Sequence, residues 1–214
     1  MPIEETQKDN IIFRPAAPTD IPILADFLVQ LYAAELPGAL TGSPAQQSKV
    51  LQYTLEAQPE QALQNRFVLC NTNNQVIATG MIQFPTSPPF DRAPAGTISM
   101  AAKILGYQAL GRLILTVARS RIAVYSELQT DTALLHSIVV DANQRGKGLG
   151  RILLTKLEKV ITEQGLSWAA LQVLEGNKAA RHLYTSCGYQ DIWHTPSWVT
   201  MLSWSSYVMR KELQ

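Results

Sequence analysis

The chain has 214 residues, of which 46% are hydrophobic and only 16% charged, with a net charge of +1. That length suits one large domain with enough apolar mass for a core, and the near-neutral balance excludes an electrostatic case for nucleic acid. Cys70 and Cys187 are the only cysteines, and without CxxC spacing or a histidine cluster they argue against a metal and for a reduced, cytoplasmic protein.

Residues 1–10 read as a frayed polar tail with no signal-peptide pattern. No run of about 18 uncharged apolar residues predicts a spanning helix. Ile11 to Arg14 reads as a short strand. Thr19-Asp20-Ile21-Pro22 is a helix start, with a capping side chain and an early proline. Ile21, Leu24, Phe27, Leu28, Leu31 and Tyr32 then share one helical face, and Leu36-Pro37-Gly38 stops the helix. Ser43-Pro44 caps a second, polar helix that runs to about Gln58. Arg66 to Cys70 and Gln75 to Phe84 form a hairpin across the Asn71 to Asn74 turn. A loop punctuated by Pro85, Pro88, Pro89 and Pro94 ends at Gly96.

From residue 97 to 124, Met100, Ile104, Leu105, Leu110, Leu113, Ile114, Val117 and Ala118 recur at helical spacing. Lys103, Arg112, Arg119 and Arg121 are the only charges between Arg92 and Glu127. The plain reading is a long packing helix with a solvated positive face. The sharper one is a basic amphipathic helix lying on a membrane surface. Gly106 and Gly111 are candidate breaks.

Leu134 to Val140 is strand-like, Asp141 to Gln144 turns, and Arg145-Gly146-Lys147-Gly148-Leu149-Gly150 opens a helix. Leu149, Ile152, Leu153, Leu157, Val160 and Ile161 form its buried face, and Gly165 ends it. Trp168 to Leu174 is the next strand. Asn177 caps a helix carrying Ala180, Leu183, Tyr184 and Cys187 at i, i+3, i+4 and i+7. Two final strands lie near Tyr189 to Trp193 and Trp204 to Arg210.

A glycine-rich turn between strand and helix offers amide N–H groups to an anion. A P-loop needs a hydroxyl residue after its lysine, and here Gly148 follows Lys147. A dinucleotide site needs G-x-G-x-x-G and an acid at the end of the next strand. Glu175 supplies the acid, but the glycine spacing fails and only one βαβ unit is present. A turn that merely lets strand and helix pack is the bland alternative.

Asn177 to Tyr189 reads N-K-A-A-R-H-L-Y-T-S-C-G-Y. Together with Arg145-x-x-Gly148-x-Gly150 it resembles the GCN5-related N-acetyltransferase (GNAT) superfamily. That family's pattern is Q/R-x-x-G-x-G/A between strand and helix, then N-x-x-A-x-x-L-Y-x-x-x-G-F. The match falls on Asn177, Ala180, Leu183, Tyr184 and Gly188, with Tyr189 in place of Phe. The stretch from Ile11 to Leu24 is similar to the family's opening strand and helix, and residues 85–130 match nothing diagnostic.

The resemblance implies a mixed α/β GNAT fold. Its sheet is mostly antiparallel and twisted, splayed at the cofactor strand and flanked by helices. One domain would span residues 11–214 with a helical insertion near 97–125. The resemblance also implies acetyl-coenzyme A as co-substrate and transfer to a primary amine of a small molecule or peptide, by direct attack in a ternary complex. The amides of Gly146, Lys147, Gly148, Leu149, Gly150 and Arg151 would hold the pyrophosphate, with charge added by Arg145, Lys147 and Arg151. The backbone of Ile138, Val139 and Val140 would pair with the pantetheine and polarise the thioester carbonyl.

Tyr184 stands at the family's general-acid position, where a core tyrosine would look the same. His136 is a candidate base, placed by strand alternation on the face of Ile138. A structural histidine fits there too, and Glu35 and Glu127 are fallback bases. Asn177 either touches the pantetheine or only caps its helix. Trp193, Trp198 and Trp204 would line an acceptor pocket or a homodimer interface. Two rivals stand beside the enzyme, a non-catalytic acyl-coenzyme A module and a nucleotide-binding oxidoreductase fragment.

Overall fold

The computed structural model describes residues 11–36, 38–87, 94–120, 130–200 and 204–213. Its strands are β1 (Ile12–Pro15), β2 (Arg66–Cys70), β3 (Val76–Gln83), β4 (Thr132–Val140), β5 (Trp168–Leu174), β6 (Gln190–His194) and β7 (Ser206–Glu212). They form one sheet in the order β1-β2-β3-β4-β5-β7-β6. Among these pairings only β4 with β5 is parallel. The helices are α1 (Ile21–Glu35), α2 (Pro44–Ala57), α3 (Pro59–Leu63), α4 (Thr97–Leu105), α5 (Tyr107–Ser120), α6 (Leu149–Glu163) and α7 (Lys178–Ser186).

Each face of the sheet is sealed by one amphipathic helix. Leu149, Leu153, Leu154, Leu157 and Ile161 of α6 pack on Leu69, Ile82, Leu135, Leu171 and Met209 of the strands. On the other face Ile21, Leu24, Ala25 and Leu28 of α1 pack with Val68 and Cys70, and Leu51 and Leu55 of α2 join them. The period of about 3.6 in these helices matches the apolar spacing of the sequence. Ser43 caps α2 as expected: its Oγ accepts from the Gln46 amide, and Gln46 Oε1 accepts from the Ser43 amide at 2.9 Å.

Asp20 departs from the expected helix cap. Its carboxylate accepts from the Ala17 amide at 2.8 Å and from the Arg14 guanidinium at 2.7 and 2.9 Å. It therefore ties β1 to the 3₁₀ turn Pro18–Asp20, and no side chain caps α1. The stretch after Gly96 is two helices, parted at Gly106, whose φ is 84°. Gly111 lies inside α5 without breaking it. Residues 1–10, Arg121 and Glu127 lie outside the described residues.

β4 carries the feature that arranges the site. Ala78 pairs with Val140 and Thr79 with Val139, but Met81 pairs with His136. Ser137 and Ile138 therefore stand opposite the single residue Gly80, a β-bulge, and Ser137 takes a φ of 53°. The bulge resets the alternation of side chains. Ala133 and Leu135 before it, and Ile138 and Val140 after it, all belong to the core under α6. His136 pairs with Met81 on the opposite face. The expectation that His136 and Ile138 share a face is thus corrected: an extra residue between them reverses the phase.

Candidate active site

The parallel pairing of β4 with β5 runs from Thr132↔Trp168 to Leu135↔Leu171 and stops there. β4 continues to Val140 and β5 to Leu174, so the two strands part. Beyond Leu135 the β5-facing backbone edge of β4 has no strand beside it. Two clefts occupy the gap. One, of about 420 Å³, is bounded by Gln30, Leu31 and Ala34 of α1, by Ile138 to Val140, by the glycine turn and by Ala180 and Leu183 of α7. The other, of about 310 Å³, is bounded by Leu134 to Ile138, Gln172, Leu174, Trp204 and Ser206. Glu35, Ile138 and Tyr184 line both clefts, so the clefts meet at these three residues.

The glycine turn is built to receive an anion. Gly146 and Gly148 have φ values of 77° and 74°, a region that other residues enter only with strain. None of the amides from Gly146 to Gly150 donates to a backbone oxygen among the described residues. They lie at the start of the 15-residue α6, where the helix dipole is positive. A Cβ on Gly146 would meet nothing within 4 Å, so the cradle is open. These free donors fit a pyrophosphate. Gly150 is small for another reason: a Cβ there would stand 2.7 Å from Leu183 Cδ2, and its absence lets α6 and α7 close up.

The cations near the turn bond to the protein itself. Arg145 Nε donates to the Val140 carbonyl at 3.1 Å and its Nη2 to Gln30 Oε1 at 3.2 Å, which joins β4 to α1 across the groove. Arg151 donates to the carbonyl and Oγ of Ser186 at 3.1 and 2.9 Å. Lys147 Nζ donates to Gln144 Oε1 at 2.7 Å. Arg145 and Arg151 line the groove, and Lys147 is not among its lining residues. Asn177 lines the groove and also caps α7, accepting from the Ala180 amide at 3.3 Å.

Three titratable groups stand at the junction of the clefts or close to it. Tyr184 is 6% exposed. Burial, reinforced by the charge of Glu35, pushes its hydroxyl far above the ordinary tyrosine range, so it keeps its proton. His136 Nδ1 lies 3.2 Å from Ser137 Oγ. Burial, with the Arg66 cation adding to it, lowers the imidazole to about 4. Glu35 is half-buried at the end of α1, and burial raises its carboxyl to about 7.

The remaining expected residues disperse. Glu127 lies outside the described residues. Of the three tryptophans, only Trp204 borders the second cleft, and Trp198 is 69% exposed. Glu175 accepts a hydrogen bond from Ser205 and lies 3.8 Å from His194 Nε2. The α1 wall made by Gln30, Leu31 and Ala34 escaped the sequence reading, because nothing local says where a helix will cross a strand.

A family model described as the acetyltransferase (GNAT) family matches residues 27–189, which takes in the glycine turn, β4 and the α7 motif. The chain belongs to the GNAT family of acetyltransferases. The GNAT fold uses acetyl-coenzyme A. The chain is 34% identical over 74 residues to a thialysine N-epsilon-acetyltransferase of Bos taurus, and 32% identical over 77 residues to that of Mus musculus. The matches cover 35% and 36% of the chain and 44% and 45% of those relatives, so less than half of each relative is spanned. Its fold matches an N-acetyltransferase of Staphylococcus aureus Mu50 with a TM-score of 0.62 at 16% identity, over 94% of this chain and 100% of that one. It also matches a Salmonella typhimurium protein solved with its cofactor acetyl-coenzyme A, with a TM-score of 0.56 at 16% identity, over 96% of this chain and 95% of that one.

Proposed function

We propose that this acetyltransferase moves an acetyl group from acetyl-coenzyme A to a primary amine by direct attack in a ternary complex, within one domain. The observation that carries the reading is the meeting of two clefts at Glu35, Ile138 and Tyr184. One cleft ends in free amides suited to a pyrophosphate, and the other is walled by a separate set of residues, among them His136, Gln172 and Trp204. Two ligands can thus be held at once with their reacting ends together. The name of the bovine relative supports an amine as acceptor.

Acetyl-coenzyme A, when bound, supplies the activated acetyl thioester. The free amides of Gly146 to Gly150 hold its pyrophosphate, the Arg151 amide donating instead to the Gly148 carbonyl at 3.1 Å, and the open edge of β4 at Ile138, Val139 and Val140 holds its pantetheine arm. Asn177 and Arg145 close that groove. Glu35 takes the proton that the attacking ammonium must lose. A carboxyl poised near 7 is well matched to that task at neutral pH. His136, held neutral with a pKa of about 4, is too weak a base for it, so we assign it to shaping the second cleft. A backbone amide at the bulge stabilises the oxyanion. Tyr184, protonated throughout the neutral range, delivers a proton to the departing sulfur.

Thermal shift tests the ligand. Acetyl-coenzyme A at about 100 times its Kd should add about 2.7 kcal/mol of stability and raise Tm by roughly 5–10 °C. NAD should leave Tm where it is. A shift with NAD and none with acetyl-coenzyme A would overturn the reading, and thiol release over a panel of amines and peptides then tests transfer. Tyr184→Phe should slow thiol release by about 10²-fold with cofactor Kd unchanged. Undiminished turnover in that variant would remove Tyr184 from the acid role.

A further inference from the structure

We propose that α4 and α5 form a docking surface for an anionic lipid membrane. An amphipathic helix that belongs to a core turns its large apolar side chains inward, and α5, with Leu110 and Leu113 half-buried, leaves a second apolar stripe outside. Tyr107, Gly111, Ile114 and Leu115 fall at i, i+4, i+7 and i+8, on one stripe, and that stripe faces solvent. Tyr107 is 84% exposed, Ile114 52% and Leu115 61%. Among the described side chains of α5, the buried ones are Ala109 and Thr116, one small and one polar. Ile98 of α4 adds a fourth large apolar side chain, 59% exposed.

Charge selects the partner. From residue 93 to 126 the sequence contains Lys103, Arg112, Arg119 and Arg121 and no acidic residue. Lys103 and Arg112 are exposed. A chain whose overall charge is +1 thus carries four cations and no acid along this stretch of sequence. Apolar side chains that enter the acyl region, flanked by cations that stay with anionic headgroups, are what a lipid surface rewards. A second copy of the chain suits the face poorly. A two-fold contact would set α5 against its twin and bring like charges together.

The helix pair is also anchored well enough to act as a foot. Gln46 Nε2 in α2 donates to the Ile104 carbonyl at the end of α4 at 3.3 Å. Leu105 lies against Gly42 in the loop before α2. Gly106, with its φ of 84°, then turns the chain into α5.

Co-sedimentation of the full chain with vesicles tests the proposal. At about 0.1 M salt most of the protein should pellet with equimolar phosphatidylglycerol and phosphatidylcholine, and less than about a tenth with phosphatidylcholine alone. Salt at about 0.5 M should release much of it. The double substitution Ile114→Ser with Leu115→Ser, and separately Arg112→Glu, should each weaken binding by about tenfold or more. These side chains are exposed, so Tm should hold, and a variant with an unchanged Tm and unchanged vesicle binding overturns the proposal. Absence of vesicle binding overturns it, and so does equal binding to neutral vesicles. A vesicle-free dimer that the double substitution converts to monomer places a second copy on this face and likewise overturns it.

Discussion

Glu35→Gln is expected to lower kcat/KM for amine acetylation by about 10²- to 10³-fold and to leave acetyl-coenzyme A binding intact. The pH profile is the sharper readout. With Glu35 as base, wild-type kcat/KM should climb through pH about 7 as the carboxyl ionises. The glutamine variant should lack that limb. His136→Gln should keep it, because an imidazole lowered to about 4 is neutral throughout that range. If instead His136→Gln abolishes the limb and Glu35→Gln retains it, the roles are reversed.

The same group has a stability signature of defined sign. A carboxyl raised from 4.5 to about 7 on folding binds its proton more tightly in the native state. Its contribution is fully present below pH 4.5 and is lost as pH rises to about 7. Glutamine has no such charge to bury. Glu35→Gln should therefore gain stability relative to wild type above pH 7, by up to about 3 kcal/mol, while losing activity. Denaturant unfolding at acid and alkaline pH measures both ends, and a difference independent of pH would refute the shifted carboxyl.

Gly80→Val is expected to damage stability and cofactor binding together. Gly80 is the single residue facing the bulge, and a Cβ on it would stand 2.7 Å from Leu157 Cδ1, 3.5 Å from Leu153 Cδ2 and 3.7 Å from Ile138 Cγ1. Leu153 and Leu157 are fully buried under α6 and have little room to retreat. Overpacking of this kind costs about 1–3 kcal/mol, or a Tm lower by roughly 2–12 °C. Displacement of Ile138 carries the strain into the strand that lines both clefts, so Kd for acetyl-coenzyme A should rise as well. A normal Tm with normal binding would show that the core and the bulge absorb the extra methyls freely.

Sequence patterns located most of this scaffold because the signals were local. Arg66 to Cys70 and Trp168 to Leu174 are strands with the residue limits expected of them. The Asn177 and Ser43 caps are formed as read. The two motifs pointed to one site, and the structure shows a physical link between them, since Gly150 of one packs under Leu183 of the other. What escaped was everything decided by tertiary approach. Asp20 had the chemistry of a cap, but Arg14 competed for its carboxylate and won. Arg145 and Arg151 had the charge for phosphate, yet both are drawn into bonds with Val140, Gln30 and Ser186. Glu35 was one of two fallback bases, because only the crossing of α1 over the parted strands buries its carboxyl and brings it to Tyr184. His136 was placed by a counting rule that holds for an uninterrupted strand, and β4 is interrupted.

The bulge at Ser137 and Ile138 gives β4 two reading frames. Before it the odd-numbered positions, Ala133 and Leu135, face the core under α6; after it the even-numbered ones, Ile138 and Val140, do so. Parity therefore changes meaning in the middle of nine residues. Loss or gain of one residue there would transpose the inward and outward sets of one half-strand while leaving the other half in place. Such an indel would exchange His136 for its neighbour in the cleft, or Ile138 for Val139 in the core, without altering the composition of either half. Diversification at this point of the chain is thus expected to proceed by substitution within a frame, with the length of β4 held constant.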